Sequence, residues 1–142
     1  MSAMGAWIKY AILAAATAGA VLLALRLPES ANNAKHRVHM PILSELGRNG
    51  KVAFDSNCAE CHGQNGSGSD KGPPLIHRVY HPGHHGDAAL ALAIKVGVRQ
   101  HHWRFGDMPA QPKVADEQVA AIVRFVREVQ TANGIGGQQQ ER

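Results

Sequence analysis

A chain of 142 residues with 15 Lys and Arg, 11 Asp and Glu and 5% aromatic residues has room for one domain and a short extra segment. Lys9 and Arg26 are the only charges ahead of residue 28, which leaves thirteen basic against eleven acidic residues, a net of +2, in the rest of the chain. Those charges are scattered, with no basic run of the nucleic-acid type, so charge excludes that partner class and names no other.

The front of the chain reads as a membrane segment. Sixteen uncharged residues, Tyr10 to Leu25, separate Lys9 from Arg26. As a helix, Ala6 to Leu27 would be about 33 Å long, enough for a hydrocarbon core of roughly 30 Å. Lys9 and Arg26 can extend to the two interfaces, and Trp7 and Tyr10 suit the headgroup level. A cleaved secretory leader is the competing reading. Ala18-Gly19-Ala20 lies inside the apolar run, and Glu29-Ser30-Ala31 has an acid where a small residue is wanted, so an uncleaved anchor over 1–27 is expected. Either way the remainder crosses a membrane. The expected location is the bacterial inner membrane with the domain in the periplasm or, after cleavage, the soluble periplasm.

Residues 28–40, PESANNAKHRVHM, lack apolar periodicity and read as a polar tether. From Pro41 the pattern turns helical: Ile42, Leu46, Val52, Ala53 and Phe54 support a first helix running towards CAECH at 58–62. Gly47 and Gly50 weaken it, since an interior glycine costs about 1 kcal/mol relative to alanine. GQNGSGSDKGPP at 63–74 is a loop by its Gly, Ser and Pro content, and the absence of a following Gly-Lys-Ser or Gly-Lys-Thr argues against a phosphate loop. Asp87 is placed to cap a helix, DAALALAIKVG, that stops near Gly97. Residues 98–113 are irregular and contain Pro109 and Pro112. A last helix is predicted from about Asp116 to Thr131, with Val119, Ile122, Val123, Val126 and Val129 spaced as a buried face. The tail over 133–142 reads as disordered, and no alternating segment is long enough for a sheet.

The expectation is therefore a mainly α domain over 41–132. A body of about 90 residues with so few aromatics has a thin core, and small domains of that kind need a staple. Long loops between short helices also call for something inside to organise them. A large apolar prosthetic group would do both.

Cys58, Cys61 and His62 admit four readings. A disulfide would close a tiny loop and leave His62 unexplained. A thioredoxin-type redox pair needs a βαβ context that is missing. Zinc would use Cys58, Cys61, His77 and His81, whose spacing fits a finger, but His77 follows Gly72-Pro73-Pro74 closely and His81 precedes Pro82, which opposes the helix such a finger needs. The fourth reading, C-x-x-C-H as the attachment pattern of c-type haem, explains every letter. Two thiols a helical turn apart reach the two vinyl groups, and the histidine after the second thiol lies under the iron as proximal ligand.

The other side of the iron has several candidates. Six of the nine histidines, His77, His81, His84, His85, His101 and His102, fall between 77 and 102, and each is a candidate sixth ligand or member of a separate metal site. Outside the anchor the methionines are Met40, on the tether, and Met108, which lies 46 residues after His62 beside Pro109.

These residues resemble the class I cytochromes c. The likeness rests on CAECHG, GPPL at 72–75, FGDMP at 105–109 and the final helix DEQVAAIVRFVREV, and it covers about residues 41–132. It implies helices wrapped around one covalent haem c, with His62 proximal, Met108 distal, and the carbonyl of Pro73 receiving the proximal ring N–H. It also implies that the first and last helices cross at Gly50, Phe54 and Phe125, which gives that glycine a purpose. Two departures stand out. Ala115 occupies the place of a capping Ser or Thr, with Asp116 ready to take over the cap, and the histidine cluster is not part of the family's general pattern. Trp103 has two readings, an indole N–H donor to a haem propionate or a plain aromatic wall.

The resemblance implies an electron-transfer protein without substrate turnover, shuttling electrons between membrane or periplasmic redox proteins of respiratory or other chains. A haem-based sensor or enzyme with a labile sixth position, His102 replacing Met108, is the alternative from another class. A copper or zinc site in the histidine cluster, with HPGHH supplying three imidazoles, is a further one, against a cluster of mostly surface residues with one or two hydrogen-bonding a propionate or the backbone. The +2 balance is roughly offset by two propionates, so strong charge steering is not expected.

Overall fold

Serine 44 starts the first helix. Its Oγ accepts from the Gly47 amide at 3.1 Å, as an N-cap should. The computed structural model describes residues 38–136, and four α-helices follow one another there: α1 (Glu45–Asn57), α2 (Ala59–His62), α3 (Asp87–Val96) and α4 (Asp116–Ala132), with 3₁₀ turns at Gln64–Gly66 and Arg78–Tyr80. The expected anchor, most of the expected tether and the end of the expected disordered tail lie outside the described residues. Among the described residues no helix is long and apolar enough to cross a membrane, and the one β pairing is an isolated bridge between Val98 and Met108.

The main packing event is α1 against α4. Sequence patterning marked Ile42, Leu46, Val52, Ala53 and Phe54 for the first helix; Ala53 and Phe54 are buried, yet Ile42, Leu46 and Val52 are 101%, 48% and 68% exposed. The buried positions of α1 are Gly47, Gly50, Ala53 and Phe54. The physical reason is proximity: a Cβ on Gly50 would stand 1.9 Å from the Ala121 carbonyl oxygen and 2.9 Å from the Phe125 Cβ. The two backbones meet where a side chain is missing, and Phe54 then stacks obliquely on Phe125 with ring centroids 5.3 Å apart. Ser44 closes the same crossing, donating its N–H and Oγ–H to the Glu128 carboxylate at 3.0 and 2.6 Å.

Helix α4 buries Val119, Ile122, Val123, Val126 and Val129, the stripe its spacing foretold, together with Ala121, Phe125 and Gln130. Its N-cap is Ala115, not Asp116. The Gln118 side chain reaches back to accept from the Ala115 amide at 3.1 Å, so that donor needs no side chain on the cap residue. Asp116, the first helical residue, pairs with Lys95 of α3 instead. Asp87 likewise is the first residue of α3, with Gly86 as N-cap. At the far end, Gly134 adopts φ +75° and the Ile135 amide bonds Gln130 O at 2.9 Å, so residues 133–136 close α4. Asn133 clamps His39 through its amide, accepting from His39 N at 2.9 Å and donating to His39 O at 2.8 Å. Val38 and Met40, at the end of the stretch read as tether, pack against the core.

Ala53, Phe54, Ile94, Val114 and the buried face of α4 make one hydrophobic cluster. Each large side chain in it contributes about 1.5–3 kcal/mol by leaving water.

Candidate functional site

Cys58 is the joint between α1 and α2. Its φ of −123° breaks the helix, while hydrogen bonds from Cys61 N (3.1 Å) and His62 N (2.9 Å) to the Cys58 carbonyl keep the turn helical. Two thiols and an imidazole are thus presented within one turn. Burial, and then the charge of Cys61, push the Cys58 thiol up to about 11, which makes it a poor thiolate. The His62 ring is buried, and its Nδ1–H donates to the Pro73 carbonyl at 2.9 Å. A carbonyl can only accept, so this bond fixes the tautomer and leaves Nε2 with a free lone pair. Burial lowers the His62 pKa and the Pro73 carbonyl opposes that shift in part, so the ring is neutral and ready to ligate.

Gly66 holds the following loop in place by accepting from the amides of Leu75 (2.8 Å) and Ile76 (3.2 Å). The zinc quartet is not assembled. His77 Nδ1 accepts from Val79 N at 3.2 Å, His81 Nδ1 accepts from Gly83 N at 3.1 Å, and neither ring joins the two thiols.

His62 and Met108 line the same cavity of about 450 Å³, whose walls include Leu75, Ile94, Val98, Ile122 and Val126. The segment over 98–113 that looks irregular in sequence has a definite neck. Val98 and Met108 exchange two backbone hydrogen bonds, each 2.9 Å long. Gly97 makes the neck possible: its φ of +79° and ψ of −179° belong to glycine alone, and a Cβ there would lie 2.5 Å from the Met108 carbonyl oxygen. Inside the loop, Asp107 accepts from Gln100 N at 2.8 Å and Gln100 accepts from Gly106 N at 2.7 Å. Met40, by contrast, packs on the core.

Trp103 lines the cavity with its Nε1–H buried and without a hydrogen-bond partner. Burying a donor unpaired costs about 1–3 kcal/mol, so this N–H is set aside for an acceptor within the cavity. Burial also pushes the Tyr80 phenol above its usual range; the nearby Trp103 N–H opposes that shift without meeting hydrogen-bond geometry. A neutral imidazole, a thioether, two thiols on one turn, apolar walls and a reserved N–H donor form a donor set that fits a haem.

Two residues that sequence reading passed over hold the loop ahead of α3. Arg127, only 12% exposed, donates to Asp87 (2.7 Å), to Tyr80 O (2.7 Å), to Gln130 Oε1 (2.6 Å) and to His85 O. The fully buried Gln130 donates to Leu75 O at 2.9 Å and Tyr80 O at 3.2 Å. A glutamine on the buried stripe of α4 was the available signal.

The histidines separate into roles. His84 Nε2 and His102 Nε2 face each other at 3.3 Å, and the His101 and His102 rings are 4.3 Å apart. His85, His101 and His102 line the cavity. The His102 imidazole is held below its usual pKa, first by desolvation and then by the charges of His101, His85 and His84.

No curated protein and no solved structure matches the chain. The family model for Cytochrome c matches residues 47–130, more than half of the sequence, spanning CAECH, the loop neck and nearly all of α4. The chain belongs to the cytochrome c family, whose members carry covalently bound haem c and transfer electrons through it.

Proposed function

We propose that this chain is a membrane-anchored monohaem carrier on the periplasmic side of the bacterial inner membrane, passing single electrons between membrane or periplasmic redox proteins. His62 and Met108 would hold the haem iron, and Cys58 and Cys61 would hold the haem through thioethers. One observation carries the reading: an imidazole oriented by Pro73 and a methionine pinned by Val98 line one cavity.

The haem supplies a one-electron Fe(III)/Fe(II) couple. The Pro73 carbonyl fixes the His62 ring and makes its Nε2 more basic. The Met108 thioether, a soft neutral donor, would favour the reduced state and raise the potential. Trp103 would donate its free N–H to a propionate. Leu75, Ile94, Ile122 and Val126 keep water away, so little solvent reorganises when the charge changes. Residues 1–27 anchor the domain near its partners, which replaces charge steering as the source of encounter. With both residues on the iron, no ligand position would remain for a substrate.

A potentiometric titration with optical spectra on the haem-loaded protein tests this. The expected result is one one-electron wave, together with the long-wavelength charge-transfer band of methionine–iron bonding in the oxidised protein. Absence of that band in wild type, its survival in Met108→Ala, or rapid CO binding to the reduced wild type would remove Met108 from the role. Recovery of a chain shortened past residue 27 in the soluble periplasm would remove the anchor.

A further inference from the structure

The electron carrier has no use for the histidines at the mouth of its cavity. His84, His85 and His102 each bring a ring nitrogen within 4.8 Å of the others. They come from two separately braced loops. His84 and His85 sit in a turn whose amides both bond the His81 carbonyl, at 3.0 and 2.9 Å, and Arg127 holds the His85 carbonyl from α4. His102 sits in the loop closed by the Val98–Met108 pair.

The tautomers sort donors from bystanders. The His85 Nδ1–H donates to Val79 O at 2.8 Å, which leaves its Nε2 lone pair free. That outer bond to a carbonyl is the one metal-binding histidines use to fix ring and tautomer. His77 and His81 spend their Nδ1 lone pairs on backbone amides, so in the neutral state their protons sit on Nε2. His84 and His102 point Nε2 at Nε2 across 3.3 Å. A contact of that kind needs a proton or a cation between the two nitrogens. At a metal–nitrogen length of about 2.0–2.1 Å, two ligands at the tetrahedral angle are about 3.3–3.4 Å apart. The spacing is already that of a ligand pair, and the His85 ligand atom lies within 4.8 Å of both.

We propose that His84, His85 and His102 form a binding site for a borderline first-row divalent cation, Zn²⁺ or Cu²⁺, at the mouth of the haem cavity. Three imidazoles with no carboxylate or thiolate among them favour such an ion over Mg²⁺ or Ca²⁺. His84 and His102 are exposed, so a further coordination position faces water and the ion exchanges rather than being locked in. The histidine-rich HPGHH thus supplies two ligands, and the third arrives from eighteen residues further along.

Calorimetric titration of the oxidised, haem-loaded protein with Zn²⁺ tests the site, with Cu²⁺ and electron paramagnetic resonance as the second probe. Expected are one ion per chain at micromolar affinity or tighter, and nitrogen hyperfine structure from three imidazoles. His84→Ala and His102→Ala each weaken binding by about 100-fold, Arg127→Met by about 10-fold, and His39→Ala not at all. Binding weaker than about 1 mM, in the non-specific range, would overturn the site, as would affinity unchanged in His84→Ala and His102→Ala. The proposal does not depend on Met108 as iron ligand. Loss of Met108 from that role would be read in the optical band of Met108→Ala, with Zn²⁺ affinity intact. A change of iron ligation in metal-free His102→Ala would instead assign His102 to the iron and overturn the site.

Discussion

Adding one methyl group at Gly50 pits helix propensity against packing, and the structure says which wins. Alanine in place of an interior glycine favours the helix by about 1 kcal/mol. At Gly50, however, the new Cβ would sit 1.9 Å from a backbone oxygen of α4, where ordinary contact begins at 3.4 Å. A carbonyl inside a buried helix cannot turn away, so α1 and α4 must separate by more than an ångström and loosen the Phe54–Phe125 contact. Overpacking of this kind costs about 1–3 kcal/mol and occasionally more. With the clash made against backbone we take roughly 3–4, which leaves a net loss of about 2–3 kcal/mol after the propensity gain. For a domain of this size that lowers Tm by about 10–20 °C. Gly47→Ala is the matched control, because its Cβ meets only the side-chain carboxylate of Glu128, at 2.6 Å, which can shift by loosening its Ser44 bonds, a loss that the propensity gain roughly offsets. Its expected net effect is near zero. Thermal unfolding of the haem-loaded protein, followed by far-ultraviolet dichroism, measures both. A Gly50→Ala protein as stable as wild type, or no less stable than Gly47→Ala, would refute the close crossing.

Gly97→Ala should cost about 1–3 kcal/mol in backbone strain and push the Met108 carbonyl off Val98, seen as a lower midpoint potential and readier CO binding; an unchanged potential would show that the neck does not set the ligand. Trp103→Phe keeps the wall and removes the N–H, so the propionate pKa rises and the pH dependence of the potential moves to higher pH, whereas an unmoved profile leaves Trp103 as wall only. At Glu128 burial pushes the carboxyl up, but the Ser44 hydroxyl and amide and Arg124 outweigh it, holding the pKa below its ordinary 4.5. Its stabilisation is therefore complete above that value and is lost as pH falls through the depressed one, so the Tm gap between wild type and Glu128→Gln should shrink on acidification below 4.5; a gap constant with pH would be contrary. Arg127→Met strips several charge-assisted bonds from the Tyr80–His85 loop while Asp87, 71% exposed, is rehydrated. A loss of about 1–3 kcal/mol in denaturant unfolding is expected, because the His85 carbonyl loses its charged donor, and a loss under about 0.5 kcal/mol would mean the loop holds itself.

Where a contact is made by large side chains, the sequence announces it. The valines of α4 mark their own face, and Gly97 marks the end of α3. Periodicity read only part of the α1 face: Ala53 and Phe54 join the core as patterned while Ile42, Leu46 and Val52 do not, and Gly50 as the crossing point came from the family resemblance, because a contact made by a missing side chain has no apolar signature. CAECH and Met108 were readable as chemistry, and the structure puts His62 and Met108 on one cavity. The bridge that pins Met108 was not readable, since two residues pairing across a loop have no period. The density of histidines was plain, but its membership was not. His81 turns to its own backbone and His102 takes its place, a choice made by two loops meeting in space. Gln130 could be noticed only as a polar residue on a buried stripe, and Arg127 not at all, because most of their partners are backbone carbonyls, which carry no side-chain signature.

The Val98–Met108 pair also separates two kinds of change that evolution can make. The cost of closing a flexible loop grows only with the logarithm of its length, by about 0.6 kcal/mol per doubling. With the neck fixed by two hydrogen bonds and by Gly97, the residues of 99–107 other than Trp103 can lengthen, shorten or exchange side chains while Met108 stays in register. The rim of the cavity is thus free to acquire new chemistry without retuning the wall behind it, and a histidine-rich rim on an otherwise ordinary cavity is what such freedom yields.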